Sequence, residues 1–190
     1  SHEYLIEQLQ FTGRESASNK IKLNFNHPVK ELVWVVHKPS GTAATANNNW
    51  FNYTATPDVV TASNATTYST AAALLGPSSS TAVNGVTQGK LILNGNDRFY
   101  SRDGRYFNLV QPYQHHENVP NNAGINVYSF ALKPEEHQPS GSLNMSRIDT
   151  AVLDLQYYGS TTADKQVSIF AVNYNVLRIL SGMGGIAYSN

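Results

Sequence analysis

The stretch Ile148-Asp149-Thr150-Ala151-Val152-Leu153-Asp154-Leu155 follows the polar run Phe130-Ala131-Leu132-Lys133-Pro134-Glu135-Glu136-His137-Gln138-Pro139-Ser140-Gly141. Taken alone, these residues read as a strand, a Pro/Gly-rich connection and a second strand, with prolines 134 and 139 keeping the connection out of any ladder. Working outward, the same grammar repeats. Residues 20–26 alternate, with Ile21, Leu23 and Phe25 on one side and Lys20, Lys22, Asn24 and Asn26 on the other, the signature of a half-buried strand. Residues 4–11 put Leu5, Leu9 and Phe11 on one face, with Glu7 as the exception. Residues 31–37 hold Leu32-Val33-Trp34-Val35-Val36, apolar on both faces, which predicts cover from two sides and a buried Trp34. Further strands are expected at 90–94, 126–132, 150–158 and 166–180, the last being long enough to bend near Asn175. Counting the tail Ile186-Ala187-Tyr188, about eight strands separated by turn signals predict a sandwich or barrel. Helix is scarce: residues 103–111 are the best candidate, with Asp103 as cap, Tyr106, Phe107 and Val110 on one face, and Pro112 as the stop.

Composition agrees with a loop-rich β protein. Of 190 residues, 41% are hydrophobic and only 14% charged, against roughly 25% charged in ordinary soluble domains. The net charge is zero, and the nearest thing to a basic cluster, Arg98, Arg102 and Arg105, is interleaved with Asp97 and Asp103. A groove for nucleic acid needs several cations on one face, so direct nucleic-acid binding is not expected. With no cysteine, disulfides and thiolate metal sites are excluded within these residues. No apolar run approaches the roughly 20 residues of a membrane-spanning helix. The first residues, Ser1-His2-Glu3, look like neither an initiator nor a signal peptide, which suggests a fragment or a processed product.

Residues 39–89 stand apart. They carry one charge, Asp58, and three prolines, Pro39, Pro57 and Pro77, in a background of Ala, Thr, Ser and Asn. They are expected to form one long loop inserted between core strands, pinned by aromatics. Trp50, Phe51 and Tyr53 are the candidate intersubunit or surface contacts of that loop.

No catalytic motif appears. His115-His116 is the obvious metal candidate, but adjacent histidines point apart on regular backbone and lack the further ligands a metal needs. Glu135-Glu136-His137 lies in a polar connection, where a carboxylate has no desolvating pocket to tune it. Gly182-Met183-Gly184-Gly185 lacks the Lys-Ser/Thr of a phosphate loop. The chain is therefore read as a non-enzyme with no metal and no cofactor. Asn52, Asn64 and Asn144 head glycosylation sequons, Asn52-Tyr53-Thr54, Asn64-Ala65-Thr66 and Asn144-Met145-Ser146, of a kind that chance produces in so Asn-rich a chain.

The wording of residues 129–155 resembles the major capsid proteins of large nucleocytoplasmic DNA viruses, of the iridovirus and phycodnavirus type. Three further segments agree in order: Phe25-Asn26-His27-Pro28-Val29-Lys30-Glu31-Leu32-Val33-Trp34-Val35-Val36, Tyr106-Phe107-Asn108-Leu109-Val110-Gln111-Pro112-Tyr113-Gln114-His115-His116, and Asn173-Tyr174-Asn175-Val176-Leu177-Arg178-Ile179 onward to Asn190. The resemblance implies an all-β fold over residues 1–190: an eight-stranded antiparallel jelly-roll sandwich, the second half of a double jelly roll, with at most one or two short helices. It implies a structural protein of the virion. Such proteins form homotrimers with pseudo-hexagonal outlines that tile an icosahedral shell, assembled in the host cytoplasm. The partners it implies are further copies, minor capsid proteins and, indirectly, an internal membrane. A lectin-like jelly roll binding carbohydrate through Trp50 and the many asparagines is the alternative.

Overall fold

The computed structural model describes residues 1–37, 53–55, 84–158 and 165–189. Two antiparallel sheets pack face to face. The first is ordered β1(His2–Ser16), β10(Gln166–Leu180), β3(Pro28–His37), β7(Asn126–Ser129). The second is ordered β2(Lys20–Leu23), β9(Ala151–Tyr157), β4(Val86–Leu93), β5(Asn96–Asp97). Along the chain these eight strands switch sheets at every step but one, β4 to β5, as the strands of a jelly roll do. Three short ones are appended: β6(Arg102–Asp103) on β4, β8(Leu143–Asn144) on β3, and β11(Met183–Ile186) on β10.

The alternating residues do what their period requires. Leu32, Trp34 and Val36 of β3 and Val167, Ile169 and Ala171 of β10 face Ile21, Leu23, Leu91, Leu153 and Leu155 of the other sheet, all buried. Phe107 closes the open side of this layer, its ring edge-on to Trp34 at 5.1 Å. On the outward face of β3, Val35 is 7% exposed and Val33 half-buried, so that face is partly covered within the chain itself.

Several boundaries differ from the sequence reading. Strand β4 begins at Val86, so residues 86–89 of the anticipated 39–89 insertion are sheet, with Val86 itself in the core. Gly89 and the polar Thr87 and Gln88 masked that strand's apolar period. The strand 166–180 is unbroken through Asn175. The helical segment does not stop at Pro112. Tyr106–Val110 is a π-helical turn, and α1(Gln111–His115) continues it with Pro112 in its first turn, where a missing N–H costs nothing. Its buried face is Phe107, Asn108, Gln111 and Pro112, while Val110 is exposed. Asp103 does cap the entry: its carboxylate accepts the Arg105 N–H at 2.9 Å and the Arg105 Nε–H at 3.1 Å. Those two bonds hold its pKa below the usual carboxylate range.

One further difference concerns β1. Leu5, Leu9 and Phe11 do share a face, but it is the outer one, at 38%, 65% and 49% exposure. Across the ladder they meet Val176, Val172 and Phe170 of β10. Phe11 and Phe170 stack with ring centroids 4.6 Å apart.

At the far end of β10, the chain reverses through Ser181 and Gly182, both at positive φ (53° and 80°), into β11. Glycine suits that geometry, so the glycine-rich tail makes a tight hairpin.

Candidate functional site

Among the described residues no group of three or more His, Asp and Glu side chains stands ready to hold a metal ion. The two adjacent histidines part company. His115 Nδ1 lies 2.9 Å from the Leu132 carbonyl, and His116 Nε2 lies 2.8 Å from Glu31 Oε2. Glu135 accepts the Glu117 N–H at 2.7 Å, and Glu136 pairs with Lys133 at 2.9 Å. His137 is exposed. Apart from His137, these groups are spent on local ties of loop to loop or loop to sheet, and they assemble no set of metal ligands among the described residues.

The arginines are equally local. Arg102 lies over the Tyr100 and Tyr106 rings, at 5.0 and 5.4 Å, and Arg105 over Asp103. Tyr53 sits edge-on to His37 at 5.1 Å. Burial, with the Arg14 charge second, pushes the His37 pKa down. Asn144 is exposed, and its side-chain oxygen accepts the Ser146 N–H, opening the 3-10 turn Met145–Arg147. Trp50, Phe51, Asn52 and Asn64 lie outside the described residues.

What stands out instead is a surface. The outer face of the first sheet carries the exposed strip Leu5, Leu9 and Phe11 beside Phe170, Val172 and Val176. Polar residues break the strip at one place and are paired there. Glu7 accepts from Lys30 Nζ at 2.6 Å, and the same ammonium donates to the Pro134 carbonyl at 2.6 Å, under the Tyr174 ring. The Lys30 side chain is 4% exposed against 38% for Glu7. Sequence reading had Glu7 as an exception to the apolar period; its buried partner explains it.

That asymmetry makes a prediction. Glu7→Gln strips a buried ammonium of its counter-ion and should cost about 2 kcal/mol, below the roughly 3–5 kcal/mol of a fully buried pair because Glu7 reaches solvent. Lys30→Met leaves only a carboxylate that rehydrates, and should cost under about 1 kcal/mol. Urea unfolding of both variants checks the order; a larger loss for Lys30→Met would contradict it.

A two-sheet sandwich with this strand order is a jelly roll, an architecture that viral coat proteins share with lectins and cupins. More particularly, residues 1–185 match the family model described as large eukaryotic DNA virus major capsid protein, and the chain belongs to that family. It is 51% identical over 212 residues to the major capsid protein of Pyramimonas orientalis virus, covering 100% of this chain and 44% of that protein. With the major capsid protein of Paramecium bursaria Chlorella virus 1 the identity is 42%, covering 100% of this chain and 49% of that protein. The crystal structure of PBCV-1 VP54 superposes with a TM-score of 0.75 at 38% identity, over 100% of this chain and 52% of that one. The Faustovirus major capsid protein shares the fold, with a TM-score of 0.63 at 15% identity. The chain thus spans about half the length of the curated relatives it matches.

Proposed function

We propose that this chain is one jelly roll of a major capsid protein, and that the whole protein builds the outer shell of a large DNA virus particle. Its work is surface burial, not catalysis. The observation that carries this reading is the uncovered apolar strip Leu5, Leu9, Phe11 on a domain whose family is defined by coat proteins. Patches of that kind mark interaction surfaces. A matching domain in the other half of the longer polypeptide, or a neighbouring copy, supplies the cover. Two similar domains per subunit give a trimer six modules, which suits pseudo-hexagonal packing into an icosahedral lattice. Minor capsid proteins and an underlying membrane are further expected neighbours. Most of the anticipated 39–89 insertion lies outside the described residues. The carbohydrate-binding alternative finds no support in the described geometry or in the relatives named above.

Light scattering on the full-length protein tests the proposal. The expected mass at micromolar concentration is that of three chains, as obligate interfaces of about 2,000 Å² or more would hold. A monomer that never associates would count decisively against it.

A further inference from the structure

Four separate pieces of chain meet at one polar knot on the outer face of the first sheet. Strand β3 contributes Lys30 and Glu31, β1 contributes Glu7, the end of α1 contributes His116, and the turn after β7 contributes the Pro134 carbonyl and Glu135. We infer that the His116–Glu31 contact is a proton-operated latch that pins the end of α1, and the turn joined to it, onto β3, closed at mildly acidic pH and released at alkaline pH.

The geometry supports this in three ways. Both side chains of the pair are 13% exposed, so the contact is shielded from water and salt. Nδ1 of His116 is buried with no hydrogen-bond partner among the described residues, so the ring's fixed anchor is the Nε2–Glu31 bond. The latch also has a lever. The next residue, Glu117, gives its N–H to Glu135 at 2.7 Å, while His115 holds the Leu132 carbonyl. Residues 115–117 and 132–135 therefore form one unit, which two ties couple to the sheet: the His116–Glu31 contact and the Lys30 Nζ bond to the Pro134 carbonyl, of which only the first carries an imidazole.

The charges facing His116 are Glu31 and Lys30 from β3 and Glu135 from the turn. The Glu31 hydrogen bond raises its pKa most, the Glu31 and Glu135 charges add to that, and burial and Lys30 oppose it, for a net rise above the ordinary imidazole value. A base whose folded pKa exceeds its unfolded one contributes stability that is complete below the unfolded value, about 6.5. That stability disappears as pH climbs through the higher folded value. His37 acts in the opposite sense, because its pKa is lowered, so the slope of the whole protein does not isolate the latch. A difference between variants does.

The experiment is hydrogen exchange by mass spectrometry on the full-length protein and on His116→Gln, across pH 5.5 to 9, reading peptides that cover 112–118 and 130–136. Glutamine keeps a hydrogen bond to Glu31 but cannot take the proton. The expected result is that wild type is the better protected at acidic pH. The ratio should reach up to about tenfold per unit of pKa elevation and fall toward one above the folded pKa. Glu31→Gln, which leaves His116 without its counter-ion, should abolish the same pH dependence, and it serves if His116→Gln does not fold. A wild-type-to-variant ratio that stays constant with pH, or that grows toward alkaline pH, overturns the inference.

Discussion

Trp34→Ala is expected to destabilise the protein by about 3–5 kcal/mol, the range for large aromatic truncations in cores. Trp34 is wholly buried, mid-strand in β3, between Ile169 on one neighbouring strand and Asn126 on the other. Phe107 leans on it edge-on, so the cavity would open beside another fully buried ring of the same core cluster. Its indole N–H has no hydrogen-bond partner among the described residues. Trp34→Phe therefore removes volume without orphaning an acceptor, and should cost no more than about half as much. Equilibrium urea unfolding gives both numbers. A loss under about 1 kcal/mol for Trp34→Ala would mean that this wall of the core collapses freely, contrary to the packing described.

Gly104→Ala should be nearly as damaging, for a different reason. A β-carbon there would lie 2.0 Å from the Val86 carbonyl oxygen and 3.2 Å from Asn84 Nδ2. Val86 is ladder backbone, and Asn84 donates to the Gly104 carbonyl at 3.1 Å, so neither can simply rotate away. The expected cost is about 3 kcal/mol, at the upper end of overpacking. At Gly89 the nearest atoms are the Leu155 and Phe107 side chains, at 3.0 and 3.2 Å, which can yield. Gly89→Ala should lose about 1 kcal/mol. If the two alanines cost the same, the helical entry is not wedged against β4.

The contrast between legible and illegible parts follows from what sequence period encodes. Residues 20–26 and 31–37 announce themselves because Ile21, Leu23, Phe25, Leu32, Trp34 and Val36 all land in the core. The Leu5–Phe11 run alternates just as cleanly, yet period alone cannot say which face meets the core. Here the apolar side faces out and the half-buried Ile6, Gln8 and Gln10 face in. Strand β4 was shortened in the reading because Gly89 removes an inward side chain to admit Phe107, a packing fact with no local signal. Pro112 reads as a stop in the sequence, yet a proline is equally at home in the first turn of a helix that restarts, which is where the structure puts it. The polar knot was invisible for another reason. Glu7, Lys30, Glu31, His116 and Glu135 are separated in sequence by up to about 130 residues and come together only through strand order. A lysine inside a strand as apolar as β3 was the one available hint, since such a cation demands a buried partner.

Strand β10 pairs along nearly its whole length with β1, the first strand of this segment, so that Glu3 bonds Arg178 across 175 positions. Nothing nearer in sequence can satisfy that ladder. On a ribosome adding about 5–20 residues per second, β1 waits roughly ten to thirty seconds for its mate to be synthesised. Throughout that interval Leu5, Leu9 and Phe11 ride on an unpaired strand, with Glu3, Glu7 and Arg14 as the charges that discourage premature sticking. The first sheet closes only when the last long strand arrives. A nascent chain therefore cannot present a finished binding face, and translation itself imposes the order of events: completion of the fold first, recruitment into larger assemblies afterwards.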